Sequence, residues 1–131
     1  MIDRTVGIAV DASHSTKNRM TEYRGVDLRT GEVVFHEKLG NQTVNIGEFL
    51  AIVEAVKYIY ETNYTPRMIF SDSMVAISWY RNRRTASGKR SSLLMKAETF
   101  LRIMNEKIKD FRVIHWDNKA WGEIPSDFGR K

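Results

Sequence analysis

Three strand-like segments follow one another before any helical pattern begins, and that order limits the fold more than any other feature of the chain. Residues 5–11, Thr-Val-Gly-Ile-Ala-Val-Asp, alternate: Val6, Ile8 and Val10 share one face, and Gly7, Ala9 and Asp11 share the other. A period of two is that of a half-buried strand. The small residues of the second face predict a helix packed closely against it, and Asp11 is expected to end the strand. Tyr23 to Leu28 and Val33 to Leu39 read as two further strands, with Thr30-Gly31 as a turn signal between them. Together the three make an antiparallel meander.

Beyond residue 40 strands alternate with helices. A helix is expected from about Ile46 to Glu61, capped by Asn45, with Ile52, Ala55, Val56 and Ile59 as its buried stripe and Phe49 alongside. Pro66 closes the next loop. Met68 to Ser71 reads as a short strand followed by Asp72, and Ser73 to about Arg81 as a helix containing Val75, Ile77, Trp79 and Tyr80. Residues 81–90 form a basic, polar break. Ser91 or Ser92 starts a further helix, with Leu93, Ala97, Leu101, Met104 and Ile108 at spacings of three and four. Phe111 to Trp116 reads as the last strand, and the tail from Asp117 is expected to end in a helical turn. The order β-β-β-α-β-α-α-β-α implies an α/β (α+β) fold, a mixed sheet flanked by helices. Gly and Pro do not cluster, and no repeat or low-complexity linker occurs, so residues 1–131 read as one domain.

Composition narrows the chemistry. The 131 residues contain no cysteine, which excludes disulfides, thiolate zinc sites and cysteine nucleophiles and fits a reducing, cytoplasmic setting. His14, His36 and His115 lie far apart and form no helical zinc pair. No apolar run is long enough to span a membrane. Twenty-one Lys and Arg stand against 16 Asp and Glu, so the chain carries a formal charge of +5, which suits a polyanionic partner.

Four acids occupy positions that a solvated face explains poorly. Asp11 and Asp72 each follow a strand, where sheets of this class place their ligands. Glu48 lies four residues before Ile52, seven before Ala55 and eleven before Ile59, which puts it on the apolar stripe of its helix. A first-turn acid gains from the helix dipole, but that does not explain one that points inward. A buried carboxylate must find a cation or a proton. Asp127 lies in a tail whose Trp116, Trp121, Ile124 and Phe128 ought to dock, carrying the acid to the strand ends. Four converging carboxylates could ionise together only around hard cations. Oxygen-only ligands suit magnesium or manganese, and two such ions support phosphodiester cleavage.

The strings Asp11-Ala12-Ser13, Asn45-Ile46-Gly47-Glu48-Phe49-Leu50-Ala51 and Phe70-Ser71-Asp72-Ser73 closely resemble type 1 ribonuclease H, and Trp121 to Lys131 resembles the end of a bacterial branch of that family. The resemblance spans nearly the whole chain in the same order of elements. It implies a ribonuclease H-like fold with a five-stranded mixed sheet. It also implies an endonuclease that cuts the RNA strand of RNA–DNA hybrids with two divalent ions, magnesium or manganese, leaving 5′-phosphate and 3′-hydroxyl ends. The family's carboxylate tetrad carries over to Asp11, Glu48, Asp72 and Asp127, and Glu123 falls near the place of an accessory acid by the metals. Ser13, Asn45 and Ser73, within the matching strings, are expected to touch substrate. For Asn45 this is a contact in the minor groove, where 2′-hydroxyls distinguish RNA from DNA.

The chain departs from the family pattern in three places. Ser15-Thr16-Lys17-Asn18-Arg19-Met20 stands where a Gly-Asn-Pro-Gly type turn is common. No histidine lies between Trp116 and Asp127, and His115 on the preceding strand reads as structural. A long basic protrusion is reduced to Arg81, Arg83, Arg84, Lys89 and Arg90, of which Arg83, Arg84 and Lys89 are expected to contact phosphates. Trp79 and Tyr80 beside them read as core. A separate N-terminal hybrid-binding domain is not expected, and the chain is expected to act as a monomer. A non-catalytic hybrid-binding module and a DNA-cleaving nuclease on the same fold are the alternatives.

Overall fold

The structure, a computed structural model, describes residues 2–86 and 91–128. Lys89 and Arg90 lie outside the described residues. The elements are β1 (Ile8–Ser15), β2 (Met20–Asp27), β3 (Val33–Gly40), α1 (Val44–Thr62), β4 (Met68–Ser71), α2 (Met74–Asn82), α3 (Ser92–Ile103), β5 (Arg112–His115) and α4 (Asn118–Trp121). They form one five-stranded mixed sheet in the order β3-β2-β1-β4-β5. The meander pairs antiparallel, and β4 adds parallel to β1 and β5 parallel to β4.

Asp11 does not end the first strand. The β1–β2 register runs unbroken from Ile8↔Asp27 to Ser15↔Met20, with Asp11 opposite Arg24. The hairpin is longer than the apolar alternation because backbone pairing continues past the last apolar residue. β2 likewise begins at Met20, three residues before the expected start.

The helices pack on the opposite face of β1 from the one its small residues suggested. Ile8, Val10 and Ala12 join Phe49, Ile52, Val56 and Ile59 of α1 and Ile77, Trp79 and Tyr80 of α2 in the main core. Ala9, on the Gly7–Asp11 face, meets Phe70, Trp116 and Ile124. Room beside the small residues is filled by indole rings from the tail: Phe70 and Trp116 stand edge to face at 5.6 Å, and Trp116 and Trp121 at 5.3 Å. Trp79 packs edge-on against Phe49 at 6.1 Å, in the core as its sequence position implied.

Thr43, not Asn45, caps α1. Its side chain accepts from the Ile46 N–H at 3.3 Å while its backbone is still extended; Asn45 falls in the first turn, exposed. The helix start is pressed onto the sheet. A Cβ on Gly47 would lie 2.9 Å from Thr21 Cγ2 and 3.0 Å from Ala12 Cβ. Only a residue without a side chain allows that approach, and the next residue is Glu48.

On α3 the buried residues are Leu94, Ala97, Glu98 and Leu101; Leu93 is exposed, and Ile108 is buried in the turns that follow the helix. The apolar spacing was read one residue out of phase at its start. Glu98 is only 2% exposed, and its carboxylate accepts from Thr85 N and Oγ1, both at 2.8 Å. Among the described residues no helix is long and apolar enough to cross a membrane.

Candidate metal centre

Three of the four singled-out acids meet. Each of Asp11, Glu48 and Asp72 offers a carboxylate oxygen within 4.8 Å of the others, the one such group of metal-ligating side chains among the described residues. They come from three different elements. Asp11 projects from mid-β1, Glu48 from the second turn of α1, and Asp72 from the residue after β4. The close approach at Gly47 sets the height of Glu48 above β1. Asn118, at the start of α4, donates its side-chain N–H to Asp72 Oδ2 at 3.0 Å and accepts from Ile124 N at 3.1 Å, which ties the tail to the same carboxylate.

Burial and mutual repulsion dominate the electrostatics. Asp11 is pushed up to about 7, first by desolvation and then by the charge of Asp72; a hydrogen bond with Glu48 offsets part of this. Glu48 is raised further, again by burial first and then by Asp11 and Asp72. These carboxyls hold protons where free ones would not. Glu48 Oε1 is buried and has no hydrogen-bond partner. An all-oxygen donor set with an unsatisfied buried carboxylate oxygen fits a hard divalent cation, and does not fit zinc or copper.

Asp127 lies outside that group of three but close enough for its charge to raise the Asp11 carboxyl. Its position depends on a residue that periodicity did not single out. Arg24, opposite Asp11 in β2, donates Nε–H to the Ser126 carbonyl at 2.8 Å and Nη2–H to the Asp127 carbonyl. Its guanidinium also lies over the Phe128 ring, 4.7 Å from the centroid. Trp116 adds a second tie, donating from Nε1 to the Gly122 carbonyl at 2.9 Å. The docked tail anticipated from its aromatic residues is therefore present. A signal for Arg24 exists only once strand pairing is known, since the contact joins residues about a hundred positions apart. Glu123 is exposed and is not part of the carboxylate group.

The residues expected to touch substrate divide. Ser13, on the Asp11 face of β1, has a buried Oγ without a partner. Asn45 is exposed one turn before Glu48. Ser73 is the N-cap of α2: its Oγ accepts from Ala76 N at 3.1 Å, and its N–H donates to Ser71 Oγ at 3.1 Å. Arg83 is the C-cap of the same helix, with φ 57°, donating Nη1–H to the Tyr80 carbonyl at 2.7 Å and Nε–H to Asn105 Oδ1 at 3.2 Å. It closes α2 at the end away from the acids, and Arg84 beside it is exposed. His115 is exposed, contrary to the packed role expected of it, because β5 is an edge strand.

No protein-family model matches the chain. Solved structures similar to it include those of ribonuclease H1 proteins. LC11-RNase H1, isolated from compost by a metagenomic approach, superposes with a TM-score of 0.61 at 15% identity over 90% of this chain and 88% of its own. RNase H1 from the halophilic archaeon Halobacterium salinarum gives 0.54 at 15% identity over 88% and 87%. LC11-RNase H1 in complex with an RNA/DNA hybrid gives 0.54 at 15% identity over 86% of each chain.

Proposed function

We propose that this chain, which has the ribonuclease H fold, hydrolyses the RNA strand of RNA–DNA hybrids, leaving 5′-phosphate and 3′-hydroxyl ends. The observation that carries the reading is the convergence of Asp11, Glu48 and Asp72 in a largely buried, oxygen-only group. Asp11, Glu48, Asp72 and Asp127 would hold two magnesium or manganese ions, with Glu123 as an outer accessory acid. Ions bound there supply the charge that activates water and stabilises the leaving oxygen of a phosphodiester.

The chain's own residues do the rest. Protonation of Asp11 and Glu48 in the free protein relieves repulsion, so cation binding must displace protons from them. Asn118 orients the Asp72 carboxylate through its N–H, and Arg24 holds the backbone of Asp127. Ser13 and Asn45 would contact the hybrid, Ser13 from the Asp11 face of β1 and Asn45 from the exposed first turn of α1. For Ser73, the cap of α2, a substrate contact would use the remaining lone pair of its hydroxyl. Arg83, Arg84 and Lys89 would contact phosphates, Arg83 through the N–H donors that its bonds to Tyr80 and Asn105 leave over. We read residues 1–131 as a single catalytic domain acting as a cytoplasmic monomer.

A non-catalytic hybrid-binding module is less well supported. A cluster of acids facing a phosphate backbone repels it and gives a mere binder nothing. Cleavage of end-labelled RNA–DNA, RNA–RNA and DNA–DNA duplexes in magnesium tests the reading. Cuts confined to the RNA of the hybrid are expected. Binding without cleavage would establish the module, and cuts in DNA–DNA would establish a DNA nuclease.

A further inference from the structure

The outward side of α3 carries large apolar residues where a solvated helix face is usually polar. The helix buries Leu94, Ala97 and Leu101 in the core. Its other side bears a shallow groove of about 490 Å³ lined by Ser92, Met95, Lys96, Thr99, Phe100 and Ile103. Met95 is 55% exposed and Ile103 75%, the most exposed large apolar side chain among the described residues. Met95, Thr99 and Ile103 follow at intervals of four, so they form one ridge roughly 12 Å long. Thr99, the short member, leaves a dip between two large apolar ends.

The charge beside this ridge has one sign. Successive helical residues are turned by about 100°, which puts Arg102 on one flank of the ridge and Lys96 on the other. A third cation, Lys57 of α1, holds its Nζ over the Phe100 ring, 5.1 Å from the centroid. The one acid of α3, Glu98, is buried and accepts from Thr85. Arg102 Nη2 lies 3.9 Å from it, while the Arg102 side chain stays more than half exposed. No carboxylate lines the groove.

Single apolar residues on a surface are ordinary. A ridge of them with a groove alongside and cations on both flanks needs an occupant. A phosphate backbone would match the cations but gain nothing from Met95 and Ile103. A second copy of this chain would bury the ridge but set Lys96 and Arg102 against their own counterparts, and like charges facing across an interface are costly. An acidic amphipathic helix satisfies both features.

We propose that the α3 ridge docks an acidic amphipathic helix of a partner protein. The partner's apolar stripe covers Met95, Thr99 and Ile103, and carboxylates on its flanks meet Lys96, Arg102 and Lys57. Side chains four apart on one helix pack into the matching grooves of another, so an apolar side chain of the partner seats over Thr99. None of these residues belongs to the carboxylate group, and the proposal does not rest on the nuclease reading.

The test uses the full chain and a displayed library of 16-residue helices. Each has an apolar stripe of Leu, Ile or Phe, and its flanking positions vary among Glu, Gln and Lys. Selection should enrich Glu on the flanks. The best peptide, synthesised and labelled, is then followed by anisotropy. Met95→Ser with Ile103→Ser should weaken binding at least about tenfold, as loss of central apolar anchors does. Lys96→Gln with Arg102→Gln should weaken it less and remove the preference for Glu. Added salt should weaken binding to the parent and barely affect that second variant. All four positions are exposed, so both variants should melt like the parent. Selection of Gln- or Lys-flanked helices would overturn the proposal, and so would equal binding to the Met95→Ser, Ile103→Ser variant. A parent dimer in sedimentation that this variant loses would also overturn it, by making a second copy the occupant. A chain that cleaves no hybrid but passes this test would lose the nuclease reading and keep the docking surface.

Discussion

The acids of this fold are held in two different ways. Asp11 and Glu48 stand on long regular elements, and Asp72 on the residue that follows a strand; main-chain hydrogen bonding and the packing at Gly47 bring all three together. Asp127 stands on an irregular tail fixed by side chains: the Arg24 guanidinium, the edge-to-face rings of Trp116 and Trp121, and the Asn118 amide. A centre built on regular elements is rigid at the cost of repulsion among its acids. A tail held by a few side chains has each tie as a single point of failure. One substitution on the sheet should therefore remove the chemistry without loosening the fold, while one in the tail should weaken both activity and docking by degrees.

Asp11→Asn is the substitution with the largest expected effect. Loss of a ligand shared with Glu48 and Asp72 should lower hybrid cleavage by at least about 10³-fold, measured under saturating substrate in magnesium. The same change should stabilise the metal-free protein by about 1–3 kcal/mol, roughly 4–10 °C in melting temperature, since it removes a buried ionisable group. A variant that is both inactive and less stable would show that Asp11 is structural.

Arg24→Met comes next. It keeps the apolar length of the side chain but removes the guanidinium over Phe128 and both hydrogen bonds to the tail. Cleavage should fall about 10–100-fold, the range for residues that orient metal ligands. Cation affinity of the Asp11–Glu48–Asp72 group should change less than activity does. Proteolysis between 122 and 128 should become faster. Unchanged activity would mean that the tail docks without Arg24.

Titration separates the regions further. The folded pKa of Asp11 is raised, so between the ordinary carboxylate value near 4 and about 7 the native state holds more protons than the unfolded one. Stability of the metal-free protein should therefore be greatest at low pH in this window and fall as pH rises toward 7. Millimolar magnesium should reverse the trend at its upper end. Urea midpoints at pH 4.5, 6 and 7.5 measure it, and Asp11→Asn should flatten the profile.

The smallest effects sharpen the account of how α1 is placed. Thr43→Ala removes the observed cap and should cost about 1 kcal/mol, whereas Asn45→Ala should cost close to nothing in a thermal melt. Asn45→Ala should instead raise the KM for hybrid, in keeping with its exposed place one turn before Glu48.

What could be read in advance follows the same division. Glu48 was legible because a helix repeats every 3.6 residues and its neighbours on the stripe are apolar. Asp72 was legible because an apolar run ends just before it. Strand limits were less so: Asp11 looked terminal because apolar alternation stops there, while main-chain pairing continues to Ser15. The phase of α3 was misjudged because Leu93 and Leu94 are both apolar and either could begin the stripe. Arg83 was grouped with the basic break, since charge counts do not reveal that a guanidinium will turn back to close its own helix. The role of Arg24 depends on a contact between segments distant in sequence, which no local pattern encodes.

Calorimetric titration of the full chain with manganese at pH 6.5, repeated in two buffers of different ionisation enthalpy, tests the central claim most directly. If Asp11, Glu48 and Asp72 form a cation site, binding should release protons, because raised carboxyls must ionise to coordinate. Asp11→Asn should abolish both the binding and the buffer dependence. Manganese binding that releases no protons, or that survives in Asp11→Asn, would contradict the assignment of these three acids as the metal centre.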